Sequence, residues 1–199
     1  MDNATIISLV IFSHVAAYTP GPNNLMLAAS GVNYGVRRTI PHISGVTAGF
    51  MLLVFAAGLG LSSLFTALPQ LYNVMRVLAF GFLIYLGLKI AMAGPIEDAK
   101  SSKPLSFTAA FIFQWINPKA VTVTLSTITA YTGNTQTPYS DLAIILVVFF
   151  ITTLGSTVAW TIMGHYIGKL LKNEKTRRFF NILMAVTLIT SLMPVIFSL

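Results

Sequence analysis

Apolar positions dominate this chain in long unbroken runs, and polar positions gather at a few places between and within them. Asp, Glu, Lys and Arg are absent between Asp2 and Arg37, between Arg38 and Arg76, between Asp141 and Lys169, and after Arg178. A run of about 18 or more apolar residues has the length of a membrane-crossing helix. The pattern predicts six such segments: Thr5–Gly31, Ile40–Ser63, Tyr72–Ala93, Leu105–Tyr131, Leu142–Tyr166 and Phe179–Phe197. Membrane-spanning strands would alternate lipid-facing and lumen-facing residues over segments of about ten, and these runs do not alternate. The expected fold class is an all-α membrane protein with six transmembrane helices in a single domain, residues 1–199. The third segment is the most interrupted, because Arg76 and Lys89 leave only Val77–Leu88 uncharged. Both can lie near the ends of the span and extend their charged heads to the interface.

Composition sharpens this picture. Charged residues make up 9 % of the chain and hydrophobic ones 55 %, with a mean hydropathy of +0.80. Soluble domains carry about 25 % charged residues, and one core of this size cannot hide so much apolar surface. A soluble enzyme and a disordered chain are excluded, and zero cysteines exclude a disulfide scaffold. The formal charge of +7 does not point to nucleic acid, because membrane proteins concentrate Lys and Arg in their cytoplasmic loops. Met1-Asp2-Asn3 offers no positively charged stretch of the kind that opens a signal peptide.

The basic residues also set an orientation. Arg37 and Arg38 fall between segments one and two. Lys100 and Lys103 fall between three and four, with Lys89 just before them. Lys169, Lys172, Lys175, Arg177 and Arg178 fall between five and six. The positive-inside rule places the loops 32–39, 94–104 and 167–178 in the cytoplasm and both termini outside.

Two segments carry interruptions. The first contains Thr19-Pro20-Gly21-Pro22-Asn23-Asn24, and the fourth contains Gln114-Trp115-Ile116-Asn117-Pro118-Lys119. Proline lacks an amide proton and clashes with the preceding turn, so both helices are expected to break near mid-span. Irregular backbone at membrane depth is tolerated only inside protein or beside a watery cavity. The breaks occupy corresponding places if the chain is two three-span halves, 4–93 and 105–197. Three spans per half is odd, so the halves would be inverted repeats, the pattern of secondary transporters with sites at paired broken helices. Half-helix N-termini after Pro22 and Pro118 would offer amides and a positive dipole end to a carboxylate. Half-helix C-termini would offer carbonyls to an ammonium. Together with Lys119, this arrangement fits a zwitterionic amino acid.

Pro20, Gly21, Pro22, Asn23, Asn24, Gln114, Asn117, Pro118 and Lys119 are therefore the candidate substrate-binding residues. The bland reading of Pro20–Pro22 is a kink, and that of Lys119 is a snorkelling side chain. Three groups are candidates for moving protons: Lys119, His14 within the first segment, and Asp141 at the start of the fifth. His14 can also be a neutral histidine bonded to a hydroxyl, and Asp141 is well placed as a helix cap. His42 and His165 are expected at the interface. Gly45/Gly49 and Gly164/Gly168 form small-xxx-small pairs that permit close packing, either within the chain or in a homo-oligomer.

At these residues the sequence resembles the LysE/RhtB family of bacterial amino-acid exporters. The resemblance rests on Thr19-Pro20-Gly21-Pro22-Asn23-Asn24, on Gly45, on Lys103-Pro104-Leu105-Ser106-Phe107, and on Gln114 with Asn117-Pro118-Lys119. It covers essentially the whole chain and is most similar to the cysteine and O-acetylserine exporter subgroup. It implies export of a small amino acid or derivative across the bacterial cytoplasmic membrane, driven by the proton gradient. The mechanism expected of such an exporter is alternating access, with the two halves gating around segments one and four. The partners expected are that substrate, protons and the lipid bilayer.

Two other classes of function fit these residues less well. A metal-ion exporter would want thiolates or clustered carboxylates, and the spans hold neither. A membrane-embedded serine protease would need its base within hydrogen-bond reach of its nucleophile. Ser156 and His165 are nine residues apart on one helix, about 13 Å. No His-Glu-x-x-His run exists for a metalloprotease. Neither a metal nor a cofactor is called for.

Overall fold

Each helix begins where the sequence supplies a cap or a first-turn proline. Asp2 accepts the Thr5 amide at 2.8 Å and opens α1, Asn3–Tyr18. That bond holds the Asp2 carboxyl below its ordinary pKa. Gly21, in extended backbone, precedes Pro22 at the first turn of α2, Pro22–Ala56, which runs on into a wider π-type turn at Ala57–Leu61. Pro69 sits in the first turn of α3, Pro69–Ala91. Ser106 accepts the Ala109 amide at 3.2 Å and opens α4, Phe107–Ile116. Pro118 opens α5, Pro118–Thr132, and Pro138 opens α6, Pro138–Leu170. Asn173 accepts the Lys175 amide at 2.9 Å and opens α7, Glu174–Thr190. Proline suits these starts because the first-turn amide has no intrahelical partner to lose.

The computed structural model describes residues 1–61, 67–92, 103–132, 138–171 and 173–191. Among them are seven α-helices and no strand, as expected of an all-α membrane protein. Lys100, Lys172 and the last part of the sixth predicted segment lie outside the described residues. Counted as continuous stretches, Pro22–Gly60, which is bent back at Gly35, and Tyr139–Leu170 are long and apolar enough to cross a membrane, and Asn3–Tyr18, Val77–Ala91 and Phe107–Ile116 are shorter apolar helices.

The segment 32–39 differs from the expected loop, because the chain is helical on both sides of one residue. Gly35 has φ 75° and ψ 172°, a region essentially reserved for glycine. Ser30 and His42 would be about 18 Å apart along a straight helix, yet their side chains meet at 3.2 Å. The chain therefore doubles back at Gly35, and α2 is a hairpin of the stretches 22–34 and 36–56. Replacing Gly35 by Ala is expected to cost about 1–3 kcal/mol, read as a lower unfolding temperature of the purified protein.

Glycines set the closest crossings. A Cβ at Gly164 or Gly31 would strike the Ala28 and Thr161 carbonyls respectively, and one at Gly168 would lie 2.8 Å from the Val32 carbonyl oxygen. The stretch 22–34 thus lies backbone to backbone on α6. Gly45 and Gly49 lie equally close to the Phe107 and Phe111 carbonyls of α4. Both small-residue pairs therefore pack inside the chain.

Two apolar clusters fill the interior. One gathers Leu9, Phe50, Leu53, Ile128, Ile145 and Phe149, and the other Leu25, Met26, Leu83, Phe113 and Leu188. The outer surface is apolar too. Ile7, Ile11 and Val15 of α1 and Phe179, Ile182, Leu183 and Val186 of α7 form exposed stripes at helical spacing. Apolar faces this extensive suit lipid rather than water.

Basic side chains collect at one end. Arg177 of α7 donates to the Val32 carbonyl oxygen at 2.6 Å, where the first arm of α2 stops. A cation there opposes the negative end of the helix dipole, although burial lowers the guanidinium pKa from its ordinary value. Lys89 and Lys103 face the same arm. At the opposite end the Met1 amine bonds Asp141 at 2.7 Å.

Candidate functional site

The last four carbonyls of any helix lack an intrahelical donor, and α1 ends at the edge of the packed interior, with Ala17 half-buried and Tyr18 and Thr19 exposed. Its final carbonyls are answered from three other elements. Val15 accepts both the amide and the hydroxyl of Thr19. Ala17 accepts Asn24 Nδ2 at 2.8 Å and Ser156 Oγ at 2.7 Å. Thr19 accepts Asn24 Nδ2 at 3.0 Å and Lys119 Nζ at 2.7 Å. Donors from α2, α5 and α6 thus converge on the C-terminal end of α1.

The second break turns on one residue. Asn117 closes α4 by donating its amide to Phe113 at 2.8 Å, and its carbonyl accepts the Val121 amide at 3.0 Å. Its side chain accepts the Lys119 amide at 3.1 Å, which caps α5. The two breaks are tied together by a reciprocal amide pair. Asn23 Nδ2 donates to Gln114 Oε1 at 2.7 Å, and Gln114 Nε2 donates to Asn23 Oδ1 at 3.1 Å. Gln114 is fully buried and also donates to the Ala110 carbonyl at 2.9 Å.

Between the breaks lies a pocket with about 520 Å³ of empty space, counting the part open to the surroundings. Gly21, Asn23, Asn24, Asn117 and Lys119 line it, and Val46, Phe50, Val123 and Phe149 give it an apolar wall. A Cβ on Gly21 would lie 2.8 Å from Lys119 Cδ, so the glycine makes room for the lysine stem. The N-termini of α2 and α5 meet here. Each helix start carries roughly half a positive charge, and the end of α1 a comparable negative one. With the Lys119 ammonium added, the pocket has a strongly positive side beside a cluster of carbonyls. These opposite polarities in one cavity would complement a small molecule bearing one carboxylate and one ammonium.

The other sequence candidates sit elsewhere. Pro20 is exposed, while Pro22 and Pro118 are buried first-turn residues that fix the breaks. His14 is on the exposed face of α1, bonded to the Val10 carbonyl at 2.8 Å and stacked on Tyr18. Asp141 is not a cap, because α6 starts three residues earlier at Pro138. It lies within the first turn, fully buried against the Met1 amine. His42, expected at the interface, is fully buried. The sequence reading missed Thr153, Ser156 and Thr157 of α6, which line the pocket. Their signal was a stripe of hydroxyls at spacings of three and four on an otherwise apolar helix.

An all-helical, lipid-faced chain with a polar pocket at two interrupted helices defines a membrane transport protein. The family described as LysE type translocator matches residues 14–192, and the chain belongs to it. It is 27 % identical to the "Cysteine/O-acetylserine efflux protein" of Escherichia coli (strain K12) over 180 residues, covering 89 % of this chain and 90 % of that one. The proteins so described from Shigella sonnei (strain Ss046) and Shigella flexneri serotype 5b (strain 8401) show the same identity and coverage. No solved structure matches the chain.

Proposed function

We propose that this protein exports a small amino acid or amino-acid derivative from the cytoplasm. The observation that carries the reading is the meeting of two half-helix N-termini and Lys119 in one pocket. The substrate carboxylate would take the amides that start α2 and α5, and the Lys119 ammonium. The substrate ammonium would take the α1 carbonyls and the hydroxyls of α6. The wall of Val46, Phe50 and Phe149 leaves room for a short neutral side chain. Among the described residues no acid lines the pocket to hold a second ammonium. The curated relatives named for cysteine and O-acetylserine agree with such a substrate.

The six predicted segments, read as two inverted halves, supply the mechanism. The halves would gate alternately around the paired breaks, with a proton moving inward for each substrate moved out. Lys119 would exchange the Thr19 carbonyl for the substrate carboxylate during this cycle. Asp141 and His14 are the further proton candidates. The basic end would face the cytoplasm, with both termini outside, in the bacterial cytoplasmic membrane.

The test is export itself. Cells overproducing the protein and fed amino acids as dipeptides should release a small neutral amino acid such as cysteine, or O-acetylserine, faster than cells with an empty vector. Equal release of every amino acid by the two strains would refute the reading.

A further inference from the structure

A second pocket lies at the basic end, with about 440 Å³ of empty space. The arm 22–34 of α2 forms one side of it, and the end of α3 and the segment entering α4 form the other. Among the described residues that line it are two lysines, Lys89 and Lys103, and no Asp or Glu. Ser30, Asn33 and His42 supply polar groups, while Met26, Leu86 and Leu105 supply an apolar wall.

His42 is the informative residue. It is fully buried, and Nδ1 is bonded to Ser30 Oγ at 3.2 Å. Nε2 is buried with no hydrogen-bond partner. Buried polar atoms are almost always bonded, so an unanswered ring nitrogen on a residue of the cavity wall is an unmet demand for a polar partner. Two ammonium groups, with no opposing acid among the described lining residues, favour a ligand of negative charge. Ser30 in this pocket and Asn23 in the central one are seven residues apart on the same arm, about 10 Å. A solute arriving from the basic end meets the lysines before it meets the breaks.

We propose that this pocket is an entry site that binds the carboxylate of a small amino acid before it reaches the central pocket. Lys89 and Lys103 hold the carboxylate, and the inner wall at Ser30, Asn33 and His42 receives the polar remainder of the molecule. The inference rests on the exporter reading for the identity of the solute, but not for the existence of a carboxylate site.

The test uses the full chain with Lys89→Gln and Lys103→Gln together. In inside-out vesicles, where the basic end faces the medium, the double variant should show a KM for O-acetylserine raised about tenfold with Vmax unchanged. Right-side-out vesicles should show no change in KM. An unchanged KM on the basic side, or an equal rise on both sides, overturns the proposal. Purified protein gives a readout independent of transport. Sodium acetate should raise the unfolding temperature of the wild type and of Lys119→Met above sodium chloride at equal ionic strength. It should not raise that of the double lysine variant. If this lysine-dependent stabilisation persists while the wild type transports no amino acid, the exporter reading fails and the carboxylate site stands. Stabilisation by phosphatidylglycerol vesicles but not by acetate would overturn the site in favour of a lipid headgroup.

Discussion

Export should vanish in Lys119→Met while the protein remains in the membrane at normal abundance. The substitution keeps the length and volume of the lysine stem and deletes the ammonium. The fold tolerates this because the Thr19 carbonyl keeps its second donor, Asn24 Nδ2 at 3.0 Å. The Asn23–Gln114 pair and the Asn117 cap do not involve the Lys119 side chain at all. What is lost is the cation facing the substrate carboxylate. Removing one partner of a desolvated, hydrogen-bonded charge pair costs about 2–5 kcal/mol, and each 1.4 kcal/mol is about tenfold. The rate at low substrate should therefore fall by at least about thirtyfold. Lys119→Arg restores the charge but brings a rigid planar fork to a site shaped for a point charge. Gly21 lies directly against the stem and leaves that fork little room, so only partial recovery is expected. Release of the substrate at the wild-type rate by Lys119→Met, at matched abundance, would remove Lys119 from the transport mechanism.

The breaks were legible because proline cannot supply an amide, whatever surrounds it. Thr19–Asn24 and Asn117–Lys119 each predicted an interruption, and α1 stops at Tyr18 while α4 stops at Ile116. The contribution of α6 was not legible for a reason rooted in hydroxyl chemistry. Ser and Thr in apolar helices usually bond back to their own turn, as Thr157 does to Leu154 and Thr161 to Thr157. Ser156 instead reaches across to the end of α1, and nothing local to Ser156 distinguishes it from its neighbours. The reversal at Gly35 was hidden in a different way. A charge-marked loop was expected at 32–39, but one glycine at positive φ turns the chain without a loop. Asp141 read as a cap because Asp caps well, while Pro138, an equally good opener, started the helix first. Burial of His42 depends on that reversal, which brings it onto Ser30.

Gly164→Val should have the largest structural effect of any single substitution here, with little mature protein left in the membrane. An ideal Cβ on Gly164 collides with the Ala28 carbonyl oxygen and lies 2.9 Å from the Ala28 Cα. These are backbone atoms, so no side-chain rotation relieves the clash and the two helices must separate. Gly31 and Gly168 form the same contact one turn to either side, so the separation spreads along the whole crossing. Overpacking alone costs about 1–3 kcal/mol. Separation also pulls Ser156 away from the Ala17 carbonyl, which keeps Asn24 Nδ2 as its donor, and the lost hydrogen bond adds about 0.5–1.5 kcal/mol. The sum is a large fraction of the ~5–15 kcal/mol that holds a domain folded. Gly81→Val is the matched control. Gly81 lies in α3 with nothing within 4 Å of an added Cβ, and valine forms helix better than glycine. That variant should accumulate and unfold like the wild type. If Gly164→Val did the same, the arm 22–34 and α6 could not cross as closely as described, and the convergence of Ser156 on the end of α1 would fall with that crossing.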